Sequence, residues 1–254
     1  MPSILLNKTK VIWSRDGILA RIYYQEYRGL TVKTLVIELP GRTQALSTMD
    51  GFREISFACN NYAPPQLWKW LHEPGNRETY LRELLKELGL RLEDGACLST
   101  GVDMDNVVVK TMEHSGLWVT SFATAGVKTN AMRAGLDEAQ CVEEAGKFTC
   151  RDREGTINII LLTNAKLTAG AMARALITIT EAKVAALQDL DVRSSYNPKV
   201  QATGTGTDNA VIISGWGPLI TYTGRHSKIG ELMAKTVYEA VKEAIIKSSE
   251  SPDF

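Results

Sequence analysis

The chain of 254 residues is 44% hydrophobic and 23% charged, and its 29 Lys and Arg residues balance 29 Asp and Glu residues. A chain of this length can bury a substantial core, and its zero net charge disfavours nucleic acid or an acidic membrane surface as a partner. It has no run of about 18 apolar residues and no secretory signal, so we expect a cytoplasmic protein with no membrane segment. A small-molecule ligand is therefore favoured.

The cysteines and histidines do not form a metal-binding pattern. The four cysteines include no C-x-x-C pair, and the chain has only three histidines, which disfavours a zinc ribbon or finger. We expect the cysteines to be small buried side chains of a protein in a reducing compartment. They are Cys59, Cys97, Cys141 and Cys150.

The first hundred residues are predicted to form a meander followed by a helix. Alternating segments near residues 10–14, 18–24 and 32–39 are typical of strands, with Asp16-Gly17 as a hairpin turn. Residues 64–76 are rich in helix-breaking residues and are predicted to be a loop. TYLRELLKELG, at residues 79–89, has leucines at i, i+3, i+4 and i+7 and predicts an amphipathic helix.

The rest of the chain alternates strands with long helices. A hairpin is predicted at 106–124, buried strands at 156–164 and 209–215, and a helix at 168–190 with Thr168 as N-cap. A final helix is expected to bury Ile229, Leu232, Met233, Val237, Val241 and Ile245, before a frayed tail at 248–254. These elements predict a single α+β domain with a mixed, mainly antiparallel sheet packed by long helices.

The glycine-rich stretch QATGTGTDNAVIISGWG spans residues 201–217. A dinucleotide fingerprint requires a third glycine and a following helix, whereas here Asn209 takes that place and a strand follows. The motif T-G-x-x-x-D-N-x-V occurs at 203–211 and also at 100–108. The repeat suggests two related turns, each presenting an Asp-Asn pair just before a strand.

The acidic residues in these turns have two possible roles. Asp103 and Asp105 form a D-x-D pair, and Asp208 adds a third carboxylate of the kind that binds Mg²⁺ or Ca²⁺. Alternatively, the carboxylates close Asx-turns onto backbone N–H groups. Asn158 interrupts an apolar strand, so its buried amide must have hydrogen-bond partners. These partners either belong to the fold alone or form part of a polar site at the end of the sheet.

The start of the last helix is a candidate anion site. TGRHSKIGE places His226 and Lys228 beside the free N–H groups of a helix N-terminus, which suit an oxyanion. Histidine is the side chain best suited to proton transfer near neutral pH, although His226 is equally well explained as an exposed residue. His72 and His114 are expected at the surface.

Several long segments, in order, resemble the adenosylcobinamide amidohydrolase family. They are LSTGVDMDNVVV, TAGVKTNAMRAG, GTINIILLTNAKLTAGAMARALITITEAKVAALQDL, ATGTGTDNAVIISG and GRHSKIGELMAKTVYEAVKEAI. The similarity defines a family-like core at 98–247, after an N-terminal meander and helix at 1–97 that match less clearly, and before the tail at 248–254.

The resemblance implies a hydrolase of corrinoid salvage. Its family cleaves the amide between the aminopropanol arm and a corrin propionate of adenosylcobinamide, giving adenosylcobyric acid and aminopropanol. The substrate carries the cobalt, and no separate cofactor or bound metal is expected. A non-hydrolytic corrinoid-binding protein and an amidohydrolase for a different amide remain alternatives, and the sequence is compatible with a homo-oligomer.

The site assignments come from the residues themselves. We predict that Asp208 or His226 activates water, while the glycine turn and the N-terminus of the last helix stabilise the oxyanion. Trp68 or Trp216 is a candidate for packing on a corrin or adenosyl face. The predicted binding residues are Asp103, Asp105, Asn106, Asn130, Asn164, Gly204, Thr205, Gly206, Thr207, Asn209 and Lys228.

Overall fold

The chain begins with the predicted meander of long antiparallel strands. The computed structural model describes residues 4–139, 141–145, 147–150 and 155–250. The first four strands are β1 (Ile4–Arg15), β2 (Ile18–Tyr27), β3 (Leu30–Ser47) and β4 (Gly51–Tyr62). Asp16 and Gly17 both have positive φ, 50° and 78°, as the tight β1–β2 turn requires. The Asp-Gly turn prediction is confirmed.

A helical hairpin follows, and its second helix confirms the amphipathic helix predicted at 79–89. Its helices are α1 (Pro65–Leu71) and α2 (Asn76–Glu87), and β5 (Gly95–Thr100) then pairs with β4 in parallel. The loop prediction for residues 64–76 is wrong because α1 spans only seven residues, too few for a helical period to emerge. Pro65 begins α1, where its missing N–H is tolerated.

The middle of the chain forms short and long strands. They are β6 (Val108–His114), β7 (Leu117–Ala125), β8 (Ala131–Met132), β9 (Cys141–Glu144), β10 (Lys147–Cys150), β11 (Ile157–Thr163) and β12 (Lys166–Leu167). The β6–β7 hairpin is confirmed. Every residue of β11 is buried, as its apolar run predicts for a central strand.

Two long helices close the fold. The last elements are α3 (Ala169–Asp189), β13 (Gly204–Thr205), β14 (Asn209–Ile213), β15 (Leu219–Ile220) and α4 (Lys228–Glu250). Thr168 caps α3 by accepting a hydrogen bond from the Ala171 N–H at 3.2 Å, as predicted. All six predicted core residues of α4 are buried. The tail prediction is corrected in part, because α4 continues to Glu250 and buries Ser248, while residues 251–254 lie outside the described part.

The main sheet is mixed and mostly antiparallel, so the α+β prediction is confirmed. Its order is β1-β2-β3-β14-β11-β7-β6, with β4 pairing β3 and β5. The central strand β11 is parallel to β14 and antiparallel to β7. Helices α3 and α4 pack on one face of the sheet, and α1 and α2 pack against β4 and β5. A third hydrophobic cluster consists mainly of residues from the strands themselves.

The cysteines only partly follow the prediction. Cys59 and Cys97 are buried thiols opposite one another on β4 and β5. Cys141 is exposed and disulfide-bonded, which contradicts the expectation of a buried side chain in a reducing compartment. The Cys150 side chain lies outside what the structure describes. No helix among the described residues is long and apolar enough to cross a membrane.

Candidate active site

A cleft of about 480 Å³ opens at the end of the sheet where β5 ends and β11 and β14 begin. One wall comes from the α1–α2 hairpin and the other from three chain segments that meet at the sheet edge. The helical wall contributes Trp68, Lys69, Leu71, His72, Arg77 and Tyr80, and the opposite wall Ser99, Thr100, Gly155, Thr156, Thr207 and Asn209. The cleft thus combines an apolar rim, hydroxyl and amide groups, and basic side chains.

Asn158 is buried and is hydrogen-bonded to Ser99, a residue that lines the cleft. Its Nδ2 donates to the Asn60 Oδ1 at 3.0 Å and to the Ser99 carbonyl at 2.8 Å. Asn60 in turn donates to the Thr124 hydroxyl at 3.0 Å. The prediction that Asn158 has partners is confirmed. These contacts fix the end of β5 against the start of β11.

The Asp208 carboxylate stabilises the glycine turn by accepting four hydrogen bonds. One of its oxygens accepts from the Ile157 N–H at 3.0 Å and the Thr205 hydroxyl at 2.5 Å. The other accepts from the Thr205 N–H at 3.0 Å and from the Lys183 ammonium. A Cβ atom on Gly204 would meet this carboxylate and lie 2.6 Å from Lys183 Nζ, so the pair requires glycine there. Asp208 therefore shapes the turn that carries Thr207 and Asn209 into the cleft.

Thr207 joins the turn to the loop before β11. Its hydroxyl donates to the Gly155 carbonyl at 2.9 Å, and its own carbonyl accepts from the Thr156 hydroxyl at 2.6 Å. Asn130 supports the same junction from behind, since its Nδ2 donates to the Gly155 carbonyl at 3.0 Å and its carbonyl accepts from the Gly206 N–H at 3.3 Å. The glycine turn and its neighbouring loop form one hydrogen-bonded unit.

The D-x-D pair encloses an ammonium group. Lys33 Nζ lies 2.6 Å from an oxygen of each of Asp103 and Asp105, and Tyr24 donates to Asp105. Asp103 also accepts from the Asp105 N–H at 2.8 Å, so the Asx-turn interpretation applies here. Burial opposes the charge of Asp105, but hydrogen bonds from Lys33 and Tyr24 outweigh it and lower the pKa of this carboxyl. Within the described residues, no group of three or more His, Cys, Asp or Glu side chains forms a metal site.

A second groove of about 520 Å³ adjoins the cleft and shares Pro65, Trp68 and Gly101 with it. Asp103 lines this second groove. The indole of Trp68 is fixed between the two grooves, because its Nε1 donates to the Ala63 carbonyl at 2.7 Å. A Cβ atom on Gly101 would lie 2.6 Å from the Trp68 ring. Trp216 is exposed in the loop after β14, at the other end of that strand.

Other predicted site residues lie elsewhere. Asn164 follows β11 at its opposite end, roughly 20 Å from Asn158 at about 3.3 Å per residue, and its amide holds the β6–β7 turn. His226 is exposed ahead of α4, and Lys228 pairs with Glu231 at 2.5 Å. Asn106 is half-buried in the short helical turn before β6. None of these four residues lines the cleft.

Apart from Trp68, the residues of the helical wall were not predicted as site residues. Arg77 lies in the first turn of α2, where its Nε donates to the Ser99 hydroxyl at 3.3 Å and its Nη2 to the Cys97 carbonyl at 3.0 Å. The only signal for this wall was a segment in which His72 stands close to two tryptophans.

Comparison with known proteins identifies the family. The family model described as adenosylcobinamide amidohydrolase matches residues 20–253. An uncharacterized protein of Methanocaldococcus jannaschii is 46% identical over 223 residues, covering 85% of this chain and 86% of its own. An adenosylcobinamide amidohydrolase of Methanosarcina mazei is 28% identical over 225 residues, covering 84% and 94%.

A solved structure of a Pyrococcus horikoshii protein covers 97% of this chain and 82% of its own, with 13% identity and a TM-score of 0.41. At that score the similarity supports no conclusion. The family match, in contrast, extends over most of the chain and reaches well into the first hundred residues. The chain belongs to the adenosylcobinamide amidohydrolase family and is an enzyme that hydrolyses a carbon–nitrogen amide bond.

Proposed function

We propose that the enzyme cleaves the amide between the aminopropanol arm and a corrin propionate of adenosylcobinamide. The products are adenosylcobyric acid and aminopropanol, and the acid returns to cobalamin synthesis as a salvaged precursor. The family match over residues 20–253 carries this proposal. The relative from Methanosarcina mazei that bears the name of this activity supports it.

The reaction takes place, in this proposal, in the cleft at the end of the sheet. The ligand is large, flat and fringed with amides, and the two adjoining grooves of about 480 and 520 Å³ offer it a continuous surface. Trp68, fixed between the grooves, is positioned to pack on an apolar face of the ligand. Hydroxyl and amide side chains such as Thr207 and Asn209 both donate and accept, which suits an amide fringe.

His72 is the imidazole that lines the cleft, and we assign it the proton transfers. It accepts a proton from water as the water oxygen bonds to the amide carbon. It then delivers a proton to the nitrogen as the C–N bond breaks. This assignment replaces Asp208 in that role, because four donors already occupy the Asp208 oxygens.

Arg77 and Ser99 are the proposed oxyanion donors. The Ser99 hydroxyl accepts from Arg77 Nε at 3.3 Å, which leaves its own proton to donate into the cleft. A positively charged donor behind a hydroxyl stabilises negative charge as it develops on the carbonyl oxygen. The alternative proposal is that His226, with the N-terminus of α4, supplies these groups.

Product analysis tests the proposed function. The purified protein is incubated with adenosylcobinamide, with and without a chelator, and mass spectrometry follows both products. We expect equimolar adenosylcobyric acid and aminopropanol in both arms. Tight corrinoid binding without aminopropanol release would favour a binding protein. Release of amine from a different amide alone would favour another substrate.

A further inference from the structure

Asn209, at the start of β14, lines the cleft with an amide group whose orientation is fixed. Its Nδ2 donates to the Thr207 carbonyl at 2.9 Å, and its Oδ1 accepts from the Thr48 hydroxyl at 3.0 Å. The reversed amide would bring Oδ1 against the Thr207 carbonyl oxygen, and two acceptors form no hydrogen bond. The Thr207 carbonyl therefore determines which end of the Asn209 amide is the nitrogen.

The Thr48 hydroxyl has the direction that this arrangement requires. Thr48 lies in the turn between β3 and β4, where its own N–H donates to the Ala210 carbonyl at 3.0 Å. The Ala210 N–H donates in return to the Thr48 hydroxyl oxygen at 3.0 Å, so the hydroxyl proton remains for an acceptor. The Asn209 Oδ1, at 3.0 Å, is nearer to it than the Ala210 carbonyl, at 3.3 Å. The backbone of β14 thus holds Thr48 in place, and Thr48 holds the amide oxygen.

With its oxygen bound, Asn209 still has a donor to offer. An amide nitrogen carries two hydrogens, and the Thr207 carbonyl uses one of them. No group in the described part of the chain accepts the second hydrogen. Because Asn209 is half-buried and lines the cleft, a ligand in the cleft can supply the missing acceptor.

The neighbouring strand places this donor at the same end of the sheet as the proposed chemistry. Asn209 on β14 is in register with Asn158 on the parallel strand β11. Neighbouring strands lie about 4.8 Å apart, and residues in register point to the same face. Asn158 donates in turn to the carbonyl of Ser99, one of the proposed oxyanion donors. A substrate held at Ser99 therefore extends toward Asn209.

We propose that Thr48 is a positioning residue that orients Asn209 to donate to the carbonyl oxygen of a peripheral carboxamide of the corrinoid. This inference rests on the proposed function, which places the corrinoid in this cleft. A peripheral carboxamide does not react, so its hydrogen bond is the same in the ground state and in the transition state. Such a contact lowers KM and leaves kcat unchanged.

Kinetics of single variants on adenosylcobinamide test the inference. Thr48→Val removes the hydroxyl at nearly constant volume, and we expect KM to rise about 3- to 10-fold while kcat stays within about twofold. Asn209→Ala removes the donor itself and is expected to raise KM by about tenfold or more. Thr48→Ser restores the hydroxyl and should return KM to within about twofold of the wild-type value. The matched control is Thr9→Val, at an exposed position of β1, which keeps both constants.

The double variant distinguishes positioning from a general weakening of the fold. Because Thr48 acts through Asn209, adding Thr48→Val to Asn209→Ala should raise KM by less than about twofold. Unchanged KM in both single variants overturns the inference and leaves the proposed function standing. Full additivity of the two substitutions, or a loss in kcat at constant KM, also overturns it. Failure of the wild-type enzyme to cleave adenosylcobinamide refutes the proposed function itself.

Discussion

The ammonium of Lys183, on α3, binds a carboxylate oxygen of Asp208, at the start of β14. Both side chains are largely buried, with exposed fractions of 12% and 17%. The contact ties the helix layer to the turn that lines the cleft, and Asp208 simultaneously binds two backbone N–H groups. The polar turn is thus a rigid part of the fold, anchored from behind, which presents its next residues to the ligand.

Breaking the Lys183–Asp208 ion pair is expected to lower the free energy of unfolding more than it lowers turnover. Asp208→Asn removes a charge from a mostly buried ion pair, and we expect a loss of about 1–3 kcal/mol in the free energy of unfolding. For a chain of this size that corresponds to a melting temperature lower by about 2–4 °C per kcal/mol. Thermal unfolding and turnover are measured on the same preparation.

The matched control is Lys235→Met, which removes an exposed ammonium 2.7 Å from Glu231 and should change stability by less than about 1 kcal/mol. A loss of turnover by three orders of magnitude in Asp208→Asn, at an unchanged melting temperature, would contradict the structural role. That result would restore Asp208 as the general base.

The Lys33–Asp105 contact makes stability depend on pH in a defined direction. The pKa of Asp105 is lowered, despite its burial, by Lys33 and Tyr24, so its contribution is present above the unfolded value of about 3.9 and is lost at lower pH. Desolvation opposes the charge of Lys33, but its two carboxylates raise its pKa, so its contribution is lost only at strongly alkaline pH.

Asp105→Asn is therefore expected to be less stable than the wild type at pH 7, with the difference shrinking as the pH falls below about 4. Urea unfolding at pH 7 and pH 3 measures this directly. A difference that stays constant over the two conditions would mean that the carboxylate charge contributes nothing.

The end of β5, which lines the cleft, is expected to depend on the hydrogen bonds of Asn158. Asn158→Ala leaves the Asn60 Oδ1 and the Ser99 carbonyl without this donor, and each such buried group costs about 1–3 kcal/mol. Chemical unfolding should show the loss, and kcat/KM should fall because the end of β5 is no longer fixed. Asn197→Ala, which removes only an exposed acceptor of the Lys199 N–H at 3.2 Å, is the control and should change both much less. A fully stable Asn158→Ala would show that the network is dispensable.

The position of Trp68 depends on a glycine. In Gly101→Ala the added methyl group would lie 2.6 Å from the ring, which must then move out of its place between the two grooves. We expect KM to rise by several-fold with a smaller change in kcat. Gly170→Ala, where a Cβ meets nothing within 4 Å, should leave both constants unchanged. Unchanged kinetics in Gly101→Ala would exclude a role for Trp68 in holding the ligand.

The elements with many repeats of a local pattern could be predicted from the sequence. Helices α3 and α4 span 21 and 23 residues, so their apolar period is visible, and the Thr168 cap has a local signature. In contrast, α1 has seven residues, and its role appears only when β5 and β11 are placed beside it. Short helices carry too little pattern to be recognised.

Some of the predicted binding residues line the candidate cleft, and others do not. Thr207 and Asn209 belong to the glycine turn and line the cleft. Asn164 was predicted as a binding residue, but it follows the end of β11 that lies away from the cleft. The partners Lys183 and Lys33, 25 and 72 residues from their aspartates, carry no local signal at all. Charge neutralisation by distant lysines decides between metal ligands and turn-forming carboxylates.

The most direct test of the proposed active site is the turnover of adenosylcobinamide by three histidine variants. His72→Gln is expected to lose at least about 100-fold in kcat, as for removal of a general base. His114→Gln, at an exposed hairpin end, should retain wild-type kcat. His226→Gln should do the same if the cleft is the active site. Full activity in His72→Gln together with a 100-fold loss in His226→Gln would contradict the account and place the chemistry at the start of α4.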